Sequence, residues 1–460
     1  MVRVVQSFGR VAAATAHVIS ADEGLSLLKS AQAKPASLLP YGNGRSYGDT
    51  CQNTAGAVID MRGRNRILDF DTRTGLIRAE AGAMLADIIV EAAPHGWFPP
   101  VVPGTRYVTL GGAIANDVHG KNHHRRGSFG CHVTALTLLR SDGIVYECAP
   151  DRETELFRAT LGGMGLTGLI QEATIRLMRV DCADVIEKVQ GFSSLDEYFD
   201  LAEEADAANE YAVAWIDQLA GGTAAGRGLL LTANHAPDGV FRPAGRARLS
   251  VPLQPPLNVL NKLSIRLFNA AYQRAKLRHE GPRRSHYGSY FFPLDGVAGW
   301  NRLYGPRGLH QHQSVIPEGA ARTVVPALLA AARDAGEASF LTVLKRFGPQ
   351  RSPAIMSFPR PGFTLTLDFP NRGKKTVQLL EQLDKITIDA GGAVNPYKDV
   401  RMSAGVFAAS FPGWRILERQ RDPAFISDFW RRTAMTLEPA PHGKGAAHDD
   451  CRTVTAMRKI

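Results

Sequence analysis

The sequence predicts an α+β protein of two domains, residues 1–182 and 183–392, followed by a C-terminal segment over 393–460. Three observations carry this. Helical and strand patterns mix in the first 180 residues without the strand–helix alternation of a parallel doubly wound sheet. Three glycine-rich segments fall in that stretch and stop after about Val180. Beyond it come short strands separated by helices and loops, the pattern of an antiparallel sheet.

In chain order, Ser20-Ala-Asp-Glu23 has capping-box spacing and opens a helix through Leu25, Leu27 and Leu28. Residues 36–40, Ala-Ser-Leu-Leu-Pro, read as a short strand running directly into glycines. Ile67–Asp71 and Leu76–Glu80 alternate apolar with polar residues about Thr74-Gly75, a hairpin, and residues 84–93 form an amphipathic helix. A second hairpin turns at Asp142-Gly143. In the second domain, strands are expected over 212–216, 340–344 and 363–369. Residues 238–284 hold ten Lys or Arg against two acids, with Leu257, Leu260, Leu263, Leu267 and Ala271 at helical spacing. Such a segment suits an anionic membrane surface, and equally a solvated helix packed on its own domain.

Composition narrows function only coarsely. Lys and Arg number 54 against 44 Asp and Glu, a net +10, which favours an anionic partner: phosphate, lipid headgroup or nucleic acid. The cysteines at 51, 131, 148, 182 and 451 are scattered and odd in number, so neither a disulfide framework nor a C-x-x-C site is expected. The N-terminus lacks the apolar stretch of a Sec signal, and apolar runs fall well short of the ~20 residues that span a bilayer, so membrane contact is expected to be peripheral.

Chemistry concentrates in the first domain. The glycine-rich segments are Tyr41-Gly42-Asn43-Gly44-Arg45-Ser46-Tyr47-Gly48-Asp49, Pro103-Gly104-Thr105 through Thr109-Leu110-Gly111-Gly112, and Leu161 to Gly168. Glycine lets bare backbone N–H groups approach an anion and supplies positive φ. One such loop alone is usually a plain turn; three in one domain reverse that preference in favour of an anion site. The first reads neither as a Walker nor as a Rossmann motif. Between the second and third lies Asn116-Asp-Val-His119-Gly120-Lys121-Asn122-His123-His124, rich in proton donors and acceptors. Adjacent histidines cannot easily face one ion and no acid completes a ligand set, so no metal is expected. His123 and His124 read as surface loop residues, and His119 as the site candidate.

The run from Val101 to His124, with Gly127-Ser-Phe-Gly130 after it, resembles the decaprenylphosphoryl-β-D-ribose oxidase family, within the vanillyl-alcohol-oxidase (PCMH-type) flavoproteins. The resemblance continues through Arg45-Ser-Tyr-Gly-Asp49, Ala214-Trp215, Trp300 to Pro306, Gln311, Gln313, Val343 to Gly348, Asp368-Phe-Pro370 and Lys398-Asp399, nearly the whole chain in order. It implies an FAD-binding domain and an antiparallel substrate domain, with the C-terminal segment returning to the first and bringing Lys398. FAD would lie along Tyr41 to Asp49, Gly104, Thr105 and Thr109 to Gly112, its ring near His119 to Asn122, with Ile170 at the adenine side. No histidine stands in Gly44-Arg45-Ser46-Tyr47 to bond the flavin covalently, so the cofactor should be dissociable. Lys398, His119, Tyr47 and Lys121 would be catalytic; Trp215, Gln311, Gln313, Lys345, Phe347 and Thr366 would line the substrate pocket.

Two positions depart from the family. Thr366 stands where the family has a cysteine, removing the target of thiol-directed inhibitors, and Asn395 stands where it has a tyrosine beside the flavin. The implied reaction is oxidation of the 2′-hydroxyl of a polyprenyl-phosphoryl pentose. The keto product would pass to an NADH-dependent short-chain reductase that completes an epimerisation for cell-envelope polysaccharide synthesis. The same reading puts the protein peripherally at the cytoplasmic membrane and excludes nucleic acid as partner. A soluble polyol or aldonolactone oxidase is the alternative within the fold, and a non-catalytic membrane-docked flavin-fold protein the alternative outside it.

Overall fold

Residues 2–30, 35–54, 56–256, 258–278 and 281–437 are described by the structure, a computed structural model. Among the described residues three large sheets organise the fold, beside two two-stranded ribbons. The first runs in the order Val2–Gln6, Ala13–Ser20, Ala57–Asp60, Leu38–Tyr41, its first pair antiparallel and the other two parallel. The connection out of Ala13–Ser20 is the helix Ala21–Lys29, whose Ser20 and Glu23 form the expected capping box.

The second sheet is antiparallel throughout: Ile67–Asp71, Leu76–Glu80, Leu169–Arg176, Val133–Leu139, Val145–Cys148. Both expected hairpins are in it. The helices Leu85–Ala92 and Leu110–Ala115 pack Leu85, Ile88, Leu110 and Ile114 with the sheet's Ile77, Leu138 and Ile175 in one buried cluster.

Eight strands make the third sheet, in the order Arg283–Ser285, Val185–Phe192, Gly228–His235, Tyr211–Ile216, Val343–Phe347, Gly362–Pro370, Leu309–Ile316, Ala393–Val394, with every pairing antiparallel. The helices Leu195–Ala208, Glu318–Asp334 and Lys374–Asp389 cover one face, where Ala214, Leu230, Leu344, Leu365 and Leu367 are buried with Leu328, Leu329 and Leu380. The strand expected over 340–344 begins only at Val343, where pairing to Trp215 and Thr366 starts. Phe340 instead packs on Phe268, ring centroids 4.8 Å apart.

The basic segment yields the helix Lys262–Leu277. Its inward face is mostly not the leucine repeat. Ile265 and Asn269 are buried, Asn269 Nδ2 donates to Asp217 Oδ1 at 2.8 Å, and Lys276 Nζ pairs with Glu187 at 2.8 Å. Leu263 and Leu267 point outward, 68% and 64% exposed, and Ala271 is exposed as well. Leu260, just before the helix, is buried. Leu257 and residues 438–460 lie outside the described residues. From Asn395 onward the chain packs on the first sheet: Phe425 bridges to Leu38, and Asp428 accepts from Thr54 N and Oγ1.

Candidate active site

The face of the third sheet away from its helices is the floor of a cavity of about 1090 Å³, walled on the other side by the loops of the first domain. Directly opposed residues of antiparallel strands share a face, so register places the floor residues. Trp215 opposes Val343, Val343 opposes Thr366, and Thr366 opposes Gln313, a row across four strands. Two residues along, Gln311 opposes Asp368 and Lys345 opposes Thr364. Thr366 is the one residue of its strand that is not fully buried, and it opens into the cavity.

The glycine loops interlock to form the facing wall. A Cβ on Gly42 would collide with the Thr109 hydroxyl, and Gly44 takes φ +58° under the Tyr41 ring. Asn43 Nδ2 donates to Tyr107 O at 2.8 Å, tying the first loop to the second. Thr109 caps the helix Leu110–Ala115 by accepting from Gly112 N. The turn after that helix depends on Asp117 at φ +41°, a conformation aspartate tolerates better than most residues. Its carboxylate accepts from Gly130 N at 2.7 Å and from Ser357 Oγ at 2.6 Å, which aims His119 into the cavity.

Three lysines surround the resulting pocket. Lys345 Nζ lies 2.9 Å from His119 Nδ1 and donates to Gly120 O at 3.1 Å; the Gln313 amide lies 3.1 Å from His119 Nε2. Lys398 Nζ sits over the Tyr47 ring at 4.3 Å, and Lys121 Nζ over the Tyr290 ring at 4.1 Å while bonding Tyr290 O. Among the described residues none of the three makes an ion pair within 4.0 Å. Burial pushes Lys345 down to about 7 and Lys121 and Lys398 down to about 8, with Asp368 partly opposing the fall at Lys398. The same burial, beside Lys345, holds His119 well below the usual histidine range, so its imidazole is neutral. Where protonated, three lysines without an ion pair in one cavity form a receptor for anionic groups.

Most of the residues expected from sequence meet in this cavity. Tyr41 through Tyr47, Gly104, Thr105, Thr109, Gly111, Gly112, His119, Gly120, Lys121, Ile170 and Asn395 line it, as do Trp215, Gln311, Gln313, Lys345, Thr366 and Lys398. Five stand behind its wall. Gly48 packs against the Asp399 carbonyl, Asp49 pairs with Arg432, and Leu110 belongs to the core. Asn122 donates to Pro100 O and Glu210, and Phe347 supports His119 edge-on at 4.9 Å. His123 and His124 are not surface loop residues but open the short helix His123–Arg126: His123 is buried against Phe347 at 4.5 Å, and His124 is half-buried with its ring beside Asp206. Asn395 takes a polar role, donating to Gln313 Oε1 at 2.8 Å and accepting from Tyr397 N.

Phe8 and Arg10, in the turn after the strand Val2–Gln6, reach the wall with no local signal in the sequence, while Met164 and Gly165 come from the third glycine loop and Phe268 and Tyr272 from the basic helix. Tyr397, one residue before Lys398, holds its hydroxyl to Gly162 O at 3.0 Å.

A family model described as an FAD binding domain matches residues 12–149. Decaprenylphosphoryl-β-D-ribose oxidase of Mycolicibacterium smegmatis is 35% identical over 92% of this chain and 96% of its own. The chain belongs to the decaprenylphosphoryl-β-D-ribose oxidase family. An uncharacterised Streptomyces coelicolor protein is also 35% identical, over 76% of this chain and 99% of its own. The L-gulonolactone oxidase of Bos taurus matches only 34% of this chain and 35% of its own, at 31% identity. Like its family, the protein is an FAD-dependent oxidoreductase, and the residues present fit the cofactor. Among the described residues, the backbone amides of 42–46 donate no hydrogen bond within the protein, and Gly104 faces open space. Both features leave backbone donors free for a diphosphate.

Proposed function

We propose that this protein oxidises the 2′-hydroxyl of a polyprenyl-phosphoryl pentose to the 2′-keto sugar. The observation that carries the proposal is the meeting, in one cavity, of an apolar stretch formed by Trp215, Leu231, Phe268, Tyr272 and Phe340 with three half-buried lysines that make no ion pair among the described residues. A phosphorylated sugar with a prenyl tail has the matching chemistry. The M. smegmatis relative is named for such a substrate, and the alignment with it spans the floor residues as well as the loops. The gulonolactone oxidase match covers only a third of the chain.

FAD, when bound, supplies the hydride acceptor. The first two glycine loops would hold its diphosphate, and His119, Lys121, Tyr47 and Lys398 would hold its ring. Oxidation also removes the hydroxyl proton, and Lys398 receives it: with its pKa near 8, a useful fraction of the amine is neutral at physiological pH. Neutral His119, held between Lys345 and Gln313, orients the sugar hydroxyls, as does Gln311. Lys345 and Lys121 face the phosphate. Trp215 and Thr366 shape the floor beneath the pentose. The released ketone then requires a hydride from a second enzyme, and an NADH-dependent short-chain reductase is the partner class that completes the epimerisation.

The deciding experiment is anaerobic. The protein is mixed with polyprenyl-phosphoryl ribose, and separately with free pentitols and aldonolactones, while the visible flavin band is followed. Bleaching by the lipid-linked sugar alone is expected. Bleaching by free polyols or lactones would move the protein to the soluble carbohydrate oxidases, and a bound flavin that none of them bleaches would overturn the substrate class.

A further inference from the structure

We propose that the helix Lys262–Leu277, with the residues leading into it, is a docking surface for an anionic phospholipid bilayer and forms the wall between that bilayer and the cavity. The argument begins with where the exposed apolar side chains are. Val240, Leu249, Leu253 and Val259 precede the helix and Leu263, Leu267, Phe268 and Leu277 lie on it, each more than 40% exposed. Among the described residues, eight of the fifteen large exposed apolar side chains therefore fall within 238–284. Scattered singly they would mean little; gathered on one segment they mark a contact surface.

The helix itself is divided by face. Inward, Asn269 and Lys276 are committed to Asp217 and Glu187, and Ile265 is buried. These bonds fix the rotation of the helix and leave Leu263 and Leu267 outward. Charge selects the occupant. The segment carries ten basic residues and two acidic ones, and Arg266, Arg274 and Arg278 are exposed beside the leucines. Apolar residues flanked by arginine match the boundary between acyl chains and negatively charged headgroups. Residues 438–460 contain only Val454, Met457 and Ile460 as large apolar side chains, a poor match for the surface.

The same helix lines the cavity. Phe268 and Tyr272 face into it, Phe268 packs on Phe340, and Tyr272 packs edge-on against Trp215 at 5.2 Å. An apolar path thus runs from the exposed leucines, over Phe268, to the pocket floor. Given the lipid-linked substrate proposed above, the prenyl tail stays in the bilayer while the sugar enters beneath the helix.

The test uses FAD-loaded protein and two sets of substrate-free vesicles, phosphatidylcholine alone and phosphatidylcholine with phosphatidylglycerol, in a flotation assay. The wild type is expected to float with the anionic vesicles, to float less as sodium chloride is raised, and to stay behind with the neutral ones. The Leu263→Ser/Leu267→Ser variant should lose at least about fivefold in bound fraction, since both leucines supply the buried apolar area. Its flavin absorbance and melting temperature should match the wild type, because neither side chain contacts the fold's interior. Failure to bind anionic vesicles would overturn the proposal, as would equal binding by the double variant. So would a concentration-dependent dimer that the two substitutions abolish, for the surface would then belong to a second copy. Binding without oxidation of the lipid-linked sugar would keep the docking surface and remove the proposed substrate.

Discussion

Asp368 is not among the residues that line the cavity, yet its charge acts on Lys398, the residue proposed to take the substrate proton. It is fully buried, accepts from Gln311 Nε2 at 2.6 Å through Oδ1, and leaves Oδ2 without a partner. Burial pushes its carboxyl up to about 7, while its charge raises Lys398. Asp368→Asn removes that charge and preserves the shape. With the carboxylate gone, burial acts on Lys398 unopposed and its pKa falls. The neutral amine then predominates at lower pH, so the rising limb of flavin reduction against pH should shift to more acidic values. Lys398→Met should abolish the limb and cost roughly 10²–10⁴-fold in the reduction rate, the usual contribution of a positioned base. Stopped-flow reduction from pH 6 to 10 reads both; an unmoved limb in Asp368→Asn would remove the carboxylate from the mechanism. The Asp-Phe-Pro motif was visible in the sequence, but not that Asp368 sits behind Gln311: that follows from strand register, which one sequence does not give.

At the scale of elements, the lysines on three different elements make the fold carry a penalty that an anionic ligand relieves. Lys345 comes from a strand, Lys121 from the loop before a short helix, and Lys398 from a 3₁₀ turn. All three have folded pKa values below 10.5 because burial disfavours the cation. As pH rises from about 7, the folded state sheds these protons before the unfolded state does. The unfolded state then binds more protons, and stability rises with pH. Near pH 9 the buried cysteines, with Cys51 and Cys148 held up to about 12, begin to act in the opposite sense. The melting temperature of FAD-free protein should therefore climb between pH 7 and 8.5, and less steeply in Lys345→Met. Scanning calorimetry measures it; a flat or falling profile in the wild type would show that the lysines are not paying a burial cost. Elements with strict local signals, the hairpin at Thr74-Gly75 and the capping box at Ser20, were legible in the sequence. The basic helix was legible as a helix but not in its rotation, because Asn269 and Lys276 find partners on distant strands and override the leucine spacing.

The whole molecule closes when its C-terminal part clamps the first glycine loop. Arg432 donates from Nε to Asp49 Oδ2 at 2.7 Å and from Nη2 to Asp49 Oδ1 at 3.0 Å, and Nη1 donates to Met402 O at 2.5 Å. Asp399, next to Lys398, lies 3.6 Å from the same guanidinium, and its backbone carbonyl packs on Gly48. Arg432 thus neutralises Asp49, shares Asp399 with Arg401 at 3.3 Å, and registers the loop of residues 41–49 against the turn that carries Lys398. Nothing in the local sequence around Arg432 announces this, since Asp49 is 383 residues away. Arg432→Ala leaves Asp49 buried without a cation, while Asp399 keeps Arg401 at 3.3 Å, a loss on the order of 3 kcal/mol. If about half of that falls on the loop that holds the diphosphate, FAD affinity should weaken roughly tenfold. Arg432→Lys should recover only part of the loss, because an ammonium cannot make the bidentate contact. Titration of cofactor-free protein with FAD, followed by flavin fluorescence, distinguishes the cases. Wild-type affinity in Arg432→Ala would mean that the loop holds its shape without the clamp, and that Tyr47's bond to the Tyr397 carbonyl suffices to align the two halves of the site.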